Sequence, residues 1–339
     1  MPSPAAFLGK YELSLGNKKW NDCLNQVEFH SELDHPSRLV VSLAVNAKEL
    51  SQLNGGSLPA SASLKWQDMG VFKGTLIHSR VVSHSQLVLT YADTLFAAKK
   101  TMLNGFYKKQ SLKEILEKLS KEAGLKVRFQ GGFAEKLPGL NVGGKTVFDL
   151  LTSLATKYGF YFSYRSFADT LYFVRIGASI KDQKLDCREE VADISIGQAG
   201  SEAYSQVTLR YFDPKSMETK EKKMAKSSLY GQLGGFTEHP TYRHKMDWAS
   251  AAGSLESHVT DLYHFENAED LLARELSKKL MAQETLRLKV YKPAALPGDK
   301  LKLSESPAGA LQDGDYLVKS MSLFVNSALP YAEIYGIRP

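Results

Sequence analysis

The strongest chemical signal lies at residues 139–146, where Gly-Leu-Asn-Val-Gly-Gly-Lys-Thr fits the phosphate-loop pattern of a glycine, four residues and then Gly-Lys-Thr. In such a loop the backbone amides hold phosphates, Lys145 reaches the terminal ones and Thr146 holds magnesium. The context argues against this chemistry. Residues 134–138 lack the pattern of a buried strand, and the following helix leads into a hairpin instead of a parallel crossover. Nucleotide hydrolysis at 139–146 is therefore the weakest of three functional hypotheses.

Histidines are the next groups that could do chemistry. Three pairs stand close in sequence: His30 with His35 around Asp34, His239 with His244, and His258 with His264. None has the i, i+4 helical spacing with a carboxylate that makes a zinc motif specific, and the nucleophile pattern Gly-x-Ser-x-Gly is absent from the sequence. We therefore predict a protein that is not an enzyme, with no catalytic residue, no metal, no cofactor and no small-molecule substrate.

Positive charge is concentrated in one segment. The 339 residues carry a net charge of +6, and residues 99–128 contain nine Lys or Arg against three Glu. A nucleic-acid-binding module would use such a cluster for phosphates, and this is our second hypothesis. A solvated or partner-facing side of a helix is favoured, because no base-stacking aromatic motif is interleaved with the lysines. Nucleic acid is thus not our expected partner.

The sequence has the composition of a soluble protein. No segment approaches the roughly 18 uninterrupted apolar residues of a membrane helix, and residues 1–5 contain no basic region typical of an export signal. We therefore expect no membrane insertion by this chain. Cys23 and Cys187 are the only cysteines and lie far apart in sequence, so we predict free thiols in a reducing compartment.

The elements that carry these residues include an internal repeat, because residues 111–129 align without a gap on residues 146–164. Each copy starts with a hydroxyl residue suited to an N-cap, followed by an acidic residue three positions on and by apolar residues at helical spacing. Glycines suited to a left-handed C-terminal cap end both helices: Gly124 and Gly159. We predict two capped helices that each lead into a strand, with the second strand forming a hairpin with residues 170–176.

Short β-type runs flank the repeats on both sides. They cover residues 10–15, 38–45, 63–67, 71–82 and 86–91 before the repeats, and 206–212, 286–292, 300–305, 316–326 and 331–337 after them. Short strands separated by turn residues favour barrels or sandwiches. We predict a mainly β fold of the α+β class, with two β-barrel-like domains (1–97 and 179–339) around a small α/β section (98–178). The last domain should contain a long excursion at 213–257 and a helix at 267–284.

Candidate partner contacts combine exposed charge with aromatic rings. The hairpin at 160–176 has aromatic residues on both faces, so one face should cover helices and the other a further domain or subunit. The alternative is a purely internal core. The six residues chosen are Lys108, Lys109 and Lys113 in the basic segment, Phe167 in the hairpin turn, and Phe236 and Tyr242 in the excursion.

Several of these stretches, in this order, resemble the phage late-control D and VgrG type of tail-hub protein. They are Phe-Lys-Gly-Thr-Leu-Ile at 72–77, Gln-Leu-Val-Leu-Thr-Tyr-Ala-Asp at 86–93, the second repeat at 146–162 with Asp-Thr-Leu-Tyr-Phe at 169–173, Leu-Pro-Gly-Asp-Lys-Leu at 296–301 and Asp-Gly-Asp-Tyr-Leu-Val at 313–318. The resemblance covers most of the chain. It rests on structural patterns and brings no catalytic residues with it.

The resemblance implies a homotrimeric ring in a contractile phage tail or a related injection or type VI secretion machine. Such a ring joins the tail tube to the spike and adapts six-fold to three-fold symmetry. Its partners are other copies, a spike protein, and tail-tube and baseplate proteins. We expect assembly in the bacterial cytoplasm and a final place in the virion tail, baseplate or injection particle. Unlike VgrG, this sequence shows no oligonucleotide-fold domain and no β-helical needle, so we expect a separate spike chain or a truncated sequence.

Overall fold

The computed structural model describes most of the chain. The described residues are 11–16, 18–19, 24–45, 58–83, 85–198, 206–213, 218–225, 254–258, 284–292, 294–306, 314–325 and 330–338. They form a mainly β structure in which one large sheet curls into a half-barrel. The predicted fold class is confirmed. Among the described helices, none is long and apolar enough to cross a membrane.

The described residues of the N-terminal part form seven strands. They are β1 (Tyr11–Leu15), β2 (Lys18–Lys19), β3 (Leu24–Glu32), β4 (Arg38–Ala44), β5 (Ser61–Trp66), β6 (Met69–Ser83) and β7 (Gln86–Ala92). Alternating residues point inward, so that Leu39, Val41 and Leu43 of β4 are buried while Arg38 and Ala44 are exposed. Five of these strands match the predicted runs, whereas β2 and β3 were not predicted.

The middle part is the α/β section. Its elements are a 3₁₀ helix (Thr94–Lys99), β8 (Met102–Leu103), β9 (Phe106–Ser111), α1 (Leu112–Glu122), β10 (Lys126–Gln130), β11 (Lys136–Asn141), β12 (Lys145–Thr146), α2 (Val147–Tyr158), β13 (Phe160–Arg165) and β14 (Thr170–Arg175). The predicted hairpin is confirmed, because β13 pairs antiparallel with β14. The strand of the first repeat, β10, pairs parallel with β14 on its other side.

The C-terminal part returns to β structure. Its elements are β15 (Asp182–Asp186), the short helix α3 (Cys187–Glu190), β16 (Val191–Gln198), β17 (Gln206–Asp213), β18 (Glu218–Ala225), β19 (Ser254–His258), β20 (Glu284–Val290), β21 (Lys300–Ser304), β22 (Gly314–Val325) and β23 (Tyr331–Arg338). The last four strands lie where they were predicted. Cys187 is a buried cysteine that is not part of a disulfide, whereas Cys23 lies outside the described residues.

Strands from both ends of the chain share one sheet. Its order is β16-β20-β23-β22-β3-β4-β7-β6-β5-β1-β2, with β21 joining β15 to β22 off this path. The antiparallel pair β3–β22 connects the two halves, with Val27 opposite Val325 and Phe29 opposite Leu323. One hydrophobic cluster lies under both halves, and a second fills the α/β section. The predicted domain boundaries at 97 and 178 stay a prediction.

Both repeat helices have the predicted caps. The Ser111 hydroxyl accepts the Glu114 N–H at 3.2 Å while a Glu114 carboxylate oxygen accepts the Ser111 N–H at 2.8 Å, which completes a capping box. The Thr146 hydroxyl accepts the Asp149 N–H at 3.1 Å. The predicted glycines have left-handed backbones, with φ of +71° at Gly124 and +64° at Gly159. The internal repeat is therefore a structural repeat.

A strand precedes each repeat helix, with β9 before α1 and β12 before α2. The residues before the glycine-rich loop form no buried strand, as the sequence indicates, but they begin the half-exposed strand β11, which runs through residues 136–141. It pairs antiparallel with β9, and β12 pairs antiparallel with β8. Residues 102–111 and 136–146 thus form one two-stranded ribbon, which we call the basic ribbon. Short, half-exposed strands of this kind give only a weak apolar signal.

The predicted excursion at 213–257 stays a prediction, although part of it is β-strand. Residues 218–225 form β18, which pairs antiparallel with β17, and β19 pairs parallel with β17 from the other side. The stretch 226–253, which includes Phe236 and Tyr242, lies outside the described residues. The predicted helix 267–284 also lies outside them except for Glu284, which begins β20.

Candidate interaction surface

The three predicted lysine contacts lie together. Lys108 and Lys109 are neighbours on β9 of the basic ribbon, and Lys113 lies in the first turn of α1, which follows β9 directly. All three side chains are exposed. Lys109 has a left-handed backbone with φ of +48°, where most side chains are strained, and this marks an irregularity in the strand. The cluster is therefore presented to solvent by a strand-to-helix junction.

Aromatic rings lie directly beneath several lysines of this section. The Lys113 ammonium is 5.5 Å from the centre of the Phe129 ring, and the Lys118 ammonium is 5.8 Å from that of Tyr107. Lys99 lies 4.6 Å from the ring of Phe148. Such contacts are favourable cation–π interactions. The sequence analysis missed these pairings because the partners are distant in sequence.

The glycine-rich loop does not offer a phosphate cradle, because its amides already donate hydrogen bonds inside the chain. The N–H groups of Gly144 and Val147 donate to carbonyls of Leu103 and Thr101, at 3.1 and 2.9 Å. The Gly143 N–H donates to the side-chain oxygen of Asn141 at 3.0 Å. A phosphate would have to break these bonds, which hold the basic ribbon together. The geometry does not support the nucleotide hypothesis.

The histidines near Asp34 are not arranged for catalysis. His30 shares a 2.9 Å hydrogen bond with the Ser322 hydroxyl, and His35 contacts the Leu33 carbonyl at 3.1 Å. Asp34 turns instead towards the α/β section. Within the described ranges, no group of three or more His, Cys, Asp or Glu side chains is placed to hold a metal ion. The pairs His239 with His244 and His258 with His264 have side chains outside the described part.

One joint between the half-barrel and the α/β section is formed by the β3–β4 turn. An Asp34 carboxylate oxygen accepts the Phe162 N–H at 2.7 Å, and the Asp34 N–H donates to the Phe162 carbonyl at 2.8 Å. Burial raises the pKa of Asp34 to about 7. The hydrogen bond from the Phe162 N–H and the charge of Lys319 lower this pKa, whereas the charge of Glu32 raises it. A carboxyl and a backbone segment thus clamp β13 onto the large sheet.

A second joint is a buried ion pair. Arg165 at the end of β13 donates to Asp299 at 2.7 Å, and the two side chains are only 12% and 5% exposed. Asp299 also accepts the Leu296 N–H at 2.9 Å. Burial lowers the pKa of Arg165 and raises that of Asp299, while each partner's charge opposes the change in the other. The pair ties the hairpin of the α/β section to the loop before β21.

The fourth predicted contact, Phe167, lies away from the lysines. It occupies the β13–β14 turn and is 41% exposed, but part of its ring covers Gly70, the second residue of β6. A Cβ at position 70 would collide with this ring. The neighbouring Ser166 hydroxyl accepts the Lys73 N–H at 2.9 Å. Phe167 therefore takes part in a third joint, between the β13–β14 turn and β6. The exposed part of its ring stays a candidate partner contact.

The chain resembles known proteins in structure but not in sequence. No protein-family model matches the chain, and no curated protein matches it by sequence. The 43 kDa tail protein of prophage MuSo2 from Shewanella oneidensis has a similar structure, with a TM-score of 0.66, 13% identity and coverage of 98% of this chain and 97% of that one.

Two further structures extend the comparison. A tail protein from Neisseria meningitidis MC58 gives a TM-score of 0.67 at 13% identity, over 97% of this chain and 96% of that one. This chain has the fold of phage tail proteins. The E. coli c3393 protein, a component of the type VI secretion system, gives a TM-score of 0.60 at 12% identity, over 97% of this chain and 76% of that one. The tail-protein fold thus spans both halves of the large sheet and the α/β section.

Proposed function

We propose that this chain is a structural hub of a contractile phage tail or a related injection or type VI secretion machine. In this role three copies form a ring that joins the tail tube to the spike. The observation that carries the proposal is the tail-protein fold, which extends over nearly the whole of this chain and of two tail proteins. The late-control D and VgrG type of hub is the specific family we infer within that fold.

The arrangement of the sheet supports a change of symmetry. Each chain contributes an N-terminal and a C-terminal group of strands, joined side by side through β3 and β22. A closed ring of three copies would therefore present six such groups around its axis. One face of the ring would match a six-fold tube while the ring itself keeps the three-fold symmetry of a spike.

The long strand β6 offers an edge for contact between copies. Its pairing with β5 ends at Thr75, so in the described part of the chain the rest of β6 pairs only with β7. Three large apolar side chains in this overhang are exposed: Ile77, Val81 and Val82, at 37, 47 and 48%. An unpaired edge with exposed apolar residues favours association with another chain. We assign this edge to the subunit interface of the ring.

The test is the mass of the purified protein in solution. Light scattering should give about three times the 37.6 kDa mass of the chain. The variant Val81→Lys should shift the protein towards monomer, because a charge would be buried at the interface. Phe106→Lys places the same charge at another exposed apolar position and serves as the control that keeps the trimer. A wild-type monomer at high concentration, with or without the spike protein, contradicts the proposed ring.

A further inference from the structure

The basic ribbon differs from the rest of the surface in its charge. Its two strands, residues 102–111 and 136–146, contain four lysines and no Asp or Glu. The nearby Glu135 pairs with Arg175, so this carboxylate is already engaged away from the ribbon lysines. Lys113, in the first turn of α1 directly after β9, adds a further exposed charge. The ribbon therefore has a net positive charge that nothing within its own strands neutralises.

The same ribbon exposes apolar side chains and an open edge. Met102 and Phe106 are 58% and 53% exposed, the highest values among the large hydrophobic residues described. Phe106 pairs with Asn141, and its ring reaches diagonally over Gly139 of the opposite strand, where a Cβ would collide with the ring. Within the described part of the chain, β9 pairs with β11 only, so its other edge carries no strand. Such an edge can accept an additional strand from another polypeptide.

These features fit a protein partner better than a nucleic acid. Lys113 and Lys118 lie over the rings of Phe129 and Tyr107, so those ring faces are covered and cannot stack on bases. Carboxylates alternate with lysines on the exposed side of α1, at Glu114, Glu117 and Glu122, and would repel a phosphate backbone. An open strand edge is used by peptides and has no particular value for nucleic acids.

We propose that the basic ribbon binds an acidic, extended segment of a neighbouring protein, which adds as a third strand along the open edge of β9. Carboxylates of the segment pair with Lys108, Lys109 and Lys113, and its apolar residues cover Phe106 and Met102. This inference rests on the proposed function for its setting, a multiprotein particle. The binding itself requires only the ribbon of a single chain.

The experiment uses the full chain and a fluorescent eight-residue peptide in which Glu and Val alternate. Fluorescence anisotropy should show saturable binding that the Lys108→Glu/Lys113→Glu variant weakens by about tenfold, since two favourable pairs become repulsive. The variant Lys184→Glu/Lys302→Glu reverses two exposed lysines on β15 and β21 and should change affinity by less than twofold. The same peptide with alternate backbone nitrogens methylated should lose binding, because a strand cannot form on that side.

Three results would overturn the inference. They are no binding of the Glu-Val peptide, equal weakening by both double variants, or equal binding of the methylated peptide. A 20-nucleotide DNA that binds more tightly than the peptide, with the same dependence on Lys108, would assign the ribbon to nucleic acid instead. The mass of each sample, measured in parallel, separates the two proposals: a monomer that binds the peptide contradicts the ring and leaves the ribbon site in place.

Discussion

Removal of one partner of the buried Arg165–Asp299 pair should destabilise the protein strongly. The pair is 2.7 Å apart and nearly inaccessible, so Asp299→Asn leaves a buried guanidinium without a counter-charge. Breaking such a pair costs about 3 kcal/mol or more. Asn retains an oxygen that can accept the Leu296 N–H, so the loss reports on the charge and not on the loop hydrogen bond.

A double variant shows whether the loss of the ion pair itself causes the destabilisation of Asp299→Asn. Arg165→Met removes the charge and keeps most of the apolar stem, so the combination with Asp299→Asn buries no unpaired charge. We expect a coupling of about 2 kcal/mol, with the double variant clearly less destabilised than the sum of the single variants. Equilibrium urea unfolding at one fixed protein concentration, followed by tryptophan fluorescence, gives the three free energies. Trp66 is fully buried and serves as a probe of the large sheet.

A matched control comes from an exposed pair in the same section. Lys126 and Asp169 are 3.4 Å apart but 75% and 54% exposed, so Lys126→Met should cost less than about 1 kcal/mol. If the Arg165 and Asp299 variants prove additive, or if Asp299→Asn costs no more than Lys126→Met, the pair does not join the two parts of the chain in the way described.

Three further predictions concern the other joints and the caps. Gly70→Ala should cost about 1 kcal/mol by collision with the Phe167 ring, and Phe167→Ala in the same chain should restore that loss, as measured by urea unfolding. The folded-state pKa of Asp34, about 7, lies above its unfolded value, so ionisation of Asp34 lowers the stability as the pH rises from about 4 to 7. The variant Asp34→Asn should therefore be more stable than wild type by about 1–2 kcal/mol at pH 8 and nearly equal to it at pH 4. The same stability difference at both pH values would contradict this prediction. Ser111→Ala and Thr146→Ala should each lower the unfolding free energy by about 1 kcal/mol, and a loss at only one of them would argue against equivalent repeats.

Local patterns made the repeat predictable. N-cap hydroxyls, apolar spacing and C-terminal glycines act within one helix, so Ser111, Thr146, Gly124 and Gly159 have the roles that their sequence positions indicate. The gapless alignment of the copies places Thr146 opposite Ser111, so the threonine of the phosphate-loop pattern is a helix N-cap.

Longer-range features could not be predicted in this way. The strand β3 has mostly polar residues on its outer side, and it is recognisable as the link between the two halves only through its pairing with β22. The joints at Asp34 and Arg165 depend on partners 128 and 134 residues away. The charge of the basic ribbon, in contrast, is visible in the sequence alone, because its two strands contain lysines and no carboxylate.

The central claim is the trimeric ring, and electron microscopy of the purified protein tests it most directly. Averaged images should show a closed ring of three copies around an opening, with N-terminal and C-terminal strand groups alternating around the axis and the basic ribbons accessible to solvent. Single copies, two-fold dimers or open chains of subunits would contradict the account.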